Sequence, residues 1–263
     1  MLTFIAIGGL VGFLSGLFGV GGGFVLVPLI ILMGVPVQLA IGSSLAFLVP
    51  TTLSGVVQHH RYGHCDTRLA LVFVVCGAAG SQLGAFSTTS AGGSLLRILL
   101  SLLLVSMGIG LQFQKGSTTG PATLGHASEA GSIPTQIRDR KIQGSLGRVL
   151  RASVIGIVVG FLSGLLGVGG GFVLVPLQVI VLGVPMHIAC GTSLLAVLGL
   201  AVSGTVAHWT LGNVNFEIVA LMALGGIVVA PIGARVNSRL PELTLRILFL
   251  ITIMLLAVSL VLS

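Results

Sequence analysis

Charge is what this chain has least of. Asp, Glu, Lys and Arg make up only 6% of its residues, and 55% are hydrophobic. A soluble domain carries roughly 25% charged residues, so a water-facing surface around one core is excluded. Acidic groups are the scarcest, with five Asp and Glu against twelve Lys and Arg. Asp66, Glu129, Asp139, Glu217 and Glu242 fall in or near connections between apolar segments. The apolar segments are thus left without carboxylates for a cation path or a proton relay. Cysteine is sparse too. Cys65, Cys76 and Cys190 are scattered and odd in number, which excludes a disulfide framework. No phosphate loop of the form GxxxxGKS or GxxxxGKT occurs, which argues against direct use of ATP. No cofactor and no metal site are expected. His59, His60, His64 and Cys65 lie close together, but the second half keeps only His208 in that region.

Long apolar segments fill the chain instead. Segments 67–90, 93–113, 216–234 and 243–262 reach the roughly 20 residues that cross a bilayer. The start, Met1 followed by LTFIAIGGLVGFLSG, lacks the basic front of a cleavable signal and reads as a first membrane helix. A net charge of +7 does not point to nucleic acid. Most basic residues sit in short connections, where the positive-inside rule puts them. The partners expected are the lipid bilayer and a small anionic solute.

One stretch occurs twice. Residues 11–29 read VGFLSGLFGVGGGFVLVPL and residues 159–177 read VGFLSGLLGVGGGFVLVPL, differing only at Phe18 and Leu166. The correspondence runs on: Gly34-Val35-Pro36 matches Gly183-Val184-Pro185, and Gly42-Ser43-Ser44-Leu45 matches Gly191-Thr192-Ser193-Leu194. Ser54 then matches Ser203, His59 matches His208, and Arg97 matches Arg246. The expected fold is an all-α polytopic membrane protein of two repeats. Each repeat has a glycine-broken helix hairpin followed by three transmembrane helices. The first repeat covers 1–113, a polar cytoplasmic linker 114–148, and the second repeat 149–263.

Basic residues set the topology. Arg61 and Arg68 lie between the third and fourth segments of the first half, and their counterpart around Gly212 has none. Residues 86–96 have none, and their counterpart carries Arg235 and Arg239. The central loop and its flank carry Lys115, Arg138, Arg140, Lys141, Arg148 and Arg151. Placing these regions in the cytoplasm requires the two halves to have opposite orientation, an inverted repeat with both termini outside.

The duplicated glycines are the first candidate site: Gly21, Gly22 and Gly23 with Gly169, Gly170 and Gly171. They permit backbone forbidden to other residues, and the helices starting at Phe24 and Phe172 present positive dipole ends that suit anions. Tight helix packing is the alternative reading of the same glycines. Ser43, Ser44, Thr192 and Ser193 offer hydroxyls to backbone or to solute. Ser54 and Ser203 lie ten residues on, about three turns, and are expected to share a cavity-lining face with Ser44 and Ser193. His59 and His208 sit at equivalent helix ends. Solvation at the interface competes there with solute contact or proton coupling. Arg97 and Arg246 read as cations snorkelling at helix ends. Pro28, Pro50 and Pro176 are expected to kink or start helices.

The stretches GLVGFLSGLFGVGGGFVLVPLI at 9–30, GTSLLAV at 191–197 and HHRYGHCDTRLAL at 59–71 resemble the TauE/SafE family of membrane anion exporters. The resemblance covers both halves apart from the linker. It implies a cell-membrane protein that moves sulfite or an organosulfonate outward by alternating access. It also implies that the protein is not an enzyme. The first half has Gly42-Ser43-Ser44 where the motif has GTS, and FSTTSAGGSLLR at 86–97 lacks the charged cluster common in the family. Uptake of another solute, such as a metal ion or amino acid, is the competing reading. An intramembrane hydrolase built on Ser44 or Ser54 with His59 fits poorly, because residues 54 and 59 do not share one helix face.

Overall fold

The computed structural model describes residues 2–112 and 146–241, and beyond them residues 243–245, 247–249, 251, 252 and 255. Residues 113–145, most of the expected linker, and Arg246 lie outside the described residues. In the first half the helices are α1 (Leu2–Phe18), α2 (Gly23–Leu32), α3 (Val37–Arg61), α4 (Thr67–Ser90) and α5 (Gly93–Gln112). In the second they are α6 (Leu146–Leu166), α7 (Gly171–Leu182), α8 (Met186–Thr210) and α9 (Phe216–Arg239), and the described residues from 243 onward are helical. Strands are absent among the described residues. Helices α3, α4, α8, α9 and residues 149–166 of α6 are long and apolar enough to cross a membrane.

The sequence dictates where each helix stops. Gly19, Gly21 and Gly22 hold φ of 69°, 84° and 77°, and Gly167, Gly169 and Gly170 hold 71°, 77° and 74°. Left-handed backbone costs other residues roughly 1–2 kcal/mol each, so three such positions in four end a helix only if they are glycine. Pro36 and Pro185 begin α3 and α8. Asp66 and Asn215, equivalent in the repeat, cap α4 and α9 by accepting two backbone N–H bonds each. Pro28, Pro50 and Pro176 lie inside α2, α3 and α7.

The halves interlock. A Cβ on Gly8, Gly12 or Gly16 of α1 would collide with backbone of Met222, Gly226 or Ala230 of α9. Both series ascend, so the two helices run parallel in near backbone contact. Gly156, Gly160 and Gly164 of α6 meet Phe73, Gly77 and Ser81 of α4 in the same way. Lipid gives no hydrophobic drive for helix association, so small residues that admit a close backbone supply it through packing. The central α3 and α8 are equivalent to each other, and they run antiparallel: Gly55 lies beside Leu194, and Gly204 beside Leu45. Phe249 in the last described segment packs on Phe18 and Phe24, with ring centroids 5.2 and 6.4 Å apart.

Candidate functional site

The two glycine breaks meet at the centre of the protein. Gly22 and Gly170 stand before α2 and α7, and no side chain caps either helix. A Cβ on Gly23 would stand 2.8 and 2.7 Å from the carbonyl oxygens of Gly167 and Val168, and one on Gly171 would strike the Val20 carbonyl. Each short helix thus points its positive end at the carbonyl-lined break of the other half. Phe24 and Phe172 stack beside them, 5.9 Å between centroids and 20° between planes. Leu48 and Val197 fill the space next to both Gly21 and Gly169. Residues 15–28 and 163–176 are buried without interruption. In this conformation the glycines serve close backbone packing.

The expected hydroxyls divide by role. Ser44 Oγ donates to the Gly167 carbonyl at 2.9 Å, tying α3 to the opposite break. Ser193 Oγ accepts from Gln178 Nε2 at 2.6 Å. Ser43 Oγ and Thr192 Oγ1 accept the backbone N–H of Asn215 and Asp66, each at 2.9 Å, pinning the cap residues of α9 and α4. Ser54 Oγ donates to the Thr51 carbonyl of its own helix at 2.9 Å. Ser203 Oγ donates to the Ala78 carbonyl at 3.0 Å and receives Gln82 Nε2. Ser44 and Ser54 therefore do not share a face, and neither do Ser193 and Ser203. Ten residues are about 2.8 turns, which leaves an offset of about 80°.

The histidines also correct an expectation. Neither is solvated at an interface, since His59 and His208 are both fully buried. Their Nε2 atoms bond the carbonyls of Gly16 and Gly164, each at 2.9 Å. A glycine leaves its carbonyl open to an imidazole where a larger side chain would block it. A carbonyl only accepts, so Nε2 carries the hydrogen in the neutral ring and Nδ1 is the basic nitrogen. Both Nδ1 atoms are buried without a hydrogen-bond partner. Arg97 is exposed near the start of α5.

Ser15 and Ser163 were not among the expected residues. Both are fully buried, equivalent in the repeat, and their hydroxyls have no partner. Their Cβ atoms lie 3.3 and 3.5 Å from where a Cβ on Gly22 or Gly170 would stand. Each break is therefore flanked by an unpartnered hydroxyl and by an imidazole anchored one residue along α1 or α6. Buried polar groups normally find partners, and an unpaired one costs about 1–3 kcal/mol. Gln178, buried at the position of Ile30, is a further unexpected polar group, and its Oε1 has no partner. The signal for the serines was present in the sequence, because both lie inside the duplicated stretch. A lateral cleft of about 250 Å³ is lined by Asp66, Arg68, Val149 and Leu182 among others, and holds none of the expected residues.

A helical bundle with several apolar spans and two glycine-broken half-helices meeting in its core defines a multi-pass membrane transport protein of the cell membrane. The chain belongs to the family described as "Sulfite exporter TauE/SafE", whose profile matches residues 4–260. It is 29% identical over 245 residues to a "Probable membrane transporter protein YdhB" of Bacillus subtilis, covering 90% of each chain. It is 30% identical to a "Probable membrane transporter protein" of Xylella fastidiosa strain Temecula1, over 91% of this chain and 86% of that one. A second Bacillus subtilis protein, "Probable membrane transporter protein YunE", is 25% identical over 98% of this chain and 96% of its own. No solved structure matches the chain.

Proposed function

We propose that this protein exports a small anion, sulfite or an organosulfonate, as a secondary transporter rather than an enzyme. Its solute path runs between the paired glycine breaks. The observation that carries this reading is the duplicated set of unpartnered polar atoms around them: the Ser15 and Ser163 hydroxyls and the Nδ1 atoms of His59 and His208. A packed membrane core retains such groups at a cost, so a polar occupant in part of the cycle gives them a use. The anion is favoured because Asp66 and Glu217, the acidic residues among those described, stand at helix starts and neither lies deep in a span. The half-helix ends and the hydroxyls supply neutral donors. Each is worth on the order of 1 kcal/mol, so binding is weak and release easy.

The transport cycle is alternating access between two inverted repeats, residues 1–113 and 149–263, joined by a cytoplasmic linker at 114–148. The antiparallel run of α3 against its equivalent α8 supports this arrangement. So does the parallel run of α1 with α9, because a helix and the partner it meets then start on one side. Purified protein in liposomes, loaded with sulfite or 2-aminoethanesulfonate, should release the anion down an imposed gradient. Magnesium and glycine serve as cation and zwitterion probes. Movement of magnesium or glycine with no movement of either anion overturns the anion reading. Arg61→Cys and Thr210→Cys, exposed and equivalent in the repeat, should react with an impermeant thiol reagent from opposite sides. Same-side labelling refutes the inversion.

A further inference from the structure

The two halves agree in their glycine breaks and differ in their histidines. On the face that carries Arg61, Arg68, Arg235 and Arg239, three imidazoles run from the surface to the core. His64 and His187 are half-buried, and His59 is fully buried. Ring centroids lie 5.6 Å apart for His187 and His64, and 6.3 Å apart for His64 and His59. His187 Nδ1 lies 3.3 Å from Asn237 Oδ1, and Asn237 Nδ2 donates to the Leu17 carbonyl at 2.7 Å, next to the Gly16 carbonyl that holds His59. The basic Nδ1 of His59 and the Nδ1 of His64 are both buried without a partner. At the equivalent positions the other face has Asn213 for His64, Gln38 for His187 and Thr88 for Asn237. His208 is therefore buried behind residues that cannot titrate.

We propose that His187, His64 and His59 form a binding site for one regulatory proton. The site opens only on the basic face and ends at the first glycine break. This rests on the transport reading above and adds to it a proton, taken up and released on that face, that sets the transport rate. A proton from water on that face binds His64 or His187, passes to His59 Nδ1, and leaves by the same chain. No covalent bond to carbon changes and no electron moves.

The surroundings favour a single proton. Around the cluster, α3 contributes exposed His60 and Arg61, and the connection contributes Tyr62, whose ring centroid is 6.0 Å from His64, with Cys65 and Asp66. The Asp66 carboxylate is engaged in capping α4. Helix α4 adds exposed Arg68, α9 adds exposed Arg235 and Arg239, and α1 has no titratable side chain. With positive groups in the majority, charging one imidazole disfavours charging the next. Burial, with His187 beside it, already holds His64 below the ordinary histidine range. Among the described residues no three of His, Cys, Asp or Glu gather closely enough to hold a metal ion.

Two measurements test this. The first needs no solute: histidine-labelled protein in lipid nanodiscs is titrated by NMR, as parent and as His187→Gln, the residue found at the equivalent position. Removing the neighbouring imidazole, which competes for the proton, should raise the His64 midpoint by roughly half a pH unit or more. An unchanged midpoint overturns the shared site. The second follows sulfite efflux from oriented liposomes while pH is stepped from 7.5 to 5.5 on one side. The parent's rate should change severalfold for a step on the basic face only. That response should be lost in His64→Asn with His187→Gln and retained in His60→Ala. A response of the double variant equal to the parent's overturns the proposal. If the parent moves neither sulfite nor 2-aminoethanesulfonate, the anion reading fails, and the titration still decides the proton site. If the double variant does not fold, the single His187→Gln titration decides it.

Discussion

Gly22→Ala and Gly34→Ala separate backbone strain from crowding at the glycine break. Both glycines hold left-handed φ, 77° at Gly22 and 85° at Gly34. An alanine at either position therefore carries about 1–2 kcal/mol of strain. Their surroundings differ. Nothing lies within 4 Å of a Cβ on Gly34, whereas one on Gly22 would stand 2.6 Å from Val11 Cγ1 and 2.8 Å from the Val11 carbonyl oxygen. The carbonyl belongs to α1, whose other face is locked against α9, so it cannot retreat. Overpacking of this kind costs about 1–3 kcal/mol more. Gly22→Ala should then destabilise by about 2–5 kcal/mol and Gly34→Ala by about 1–2 kcal/mol. For a chain of this size, 1 kcal/mol moves the melting temperature by roughly 2–4 °C. Thermal melts of purified protein in one detergent should show Gly34→Ala lowered by a few degrees and Gly22→Ala by about twice as much or more. Gly183→Ala and Gly170→Ala repeat the comparison in the second half, with 2.5 Å to Val159 Cγ1 at Gly170 and open space at Gly183. Equal shifts within each pair would show that the break is not tightly packed, and the reasoning fails.

Other outcomes follow from the same geometry. Ser15→Ala with Ser163→Ala removes two unpartnered hydroxyls, so the double variant should be at least as stable as the parent, by up to a few kcal/mol, while sulfite efflux falls. A large drop in stability would mean the hydroxyls were bonded. Ser44→Ala strips the Gly167 carbonyl of its donor and should destabilise by about 1–3 kcal/mol, measured by denaturation in detergent. Burial pushes the Cys65 thiol up to about 11. Its alkylation should be slow at pH 7 and rise nearly tenfold per pH unit to pH 10, and a plateau near pH 8.5 contradicts this burial. His64 is held below the ordinary histidine range, so the folded form takes up fewer protons than the unfolded one. The stability this gives is present above about pH 6.5 and lost as pH falls through the lower folded value. Melting temperature should decline below pH 6.5, and less steeply in His64→Asn.

Much of the fold was legible because it is written in glycine and proline. A helix can turn left-handed at Gly19, Gly21 and Gly22 and hardly elsewhere, so the break and the short helix after it follow from local backbone sterics. Segment 67–90 is helix α4 residue for residue. The hydroxyl assignments were harder for a physical reason. A serine or threonine in a membrane helix can bond its own helix, a neighbour or a solute, and sequence does not say which. Ser54 took the first, Ser43, Ser44 and Thr192 the second. The solvated reading of the two imidazoles fails because helix ends usually, but not here, lie near water. His59 is at the last turn of α3, yet the connection at 62–66 folds back over it, with the His64 N–H bonded to the His59 carbonyl at 3.1 Å.

The symmetry of the packing makes its exceptions informative. Under alternating access by inverted repeats, exchanging the conformations of the two halves turns the inward-facing state into the outward-facing one. If the halves were identical, those two states would have equal free energy, and both faces would bind solute equally well. Only residues that break the symmetry can bias the equilibrium, and a bias of 1.4 kcal/mol is tenfold in population. The glycine breaks and the prolines at 28/176 and 36/185 do not break it, whereas Pro50 corresponds to Gly199 and the cap residue Asp66 to the uncharged Asn215. Polar differences between the halves include Gln178 against Ile30, His64 against Asn213, His187 against Gln38, and Asn237 against Thr88. Gln178 touches Ser193 beside the second break, whereas His64, His187 and Asn237 gather about the first. Part of the asymmetry thus lies in the surroundings of the two breaks. The close packing of α1 against α9 and of α6 against α4 is common to both halves.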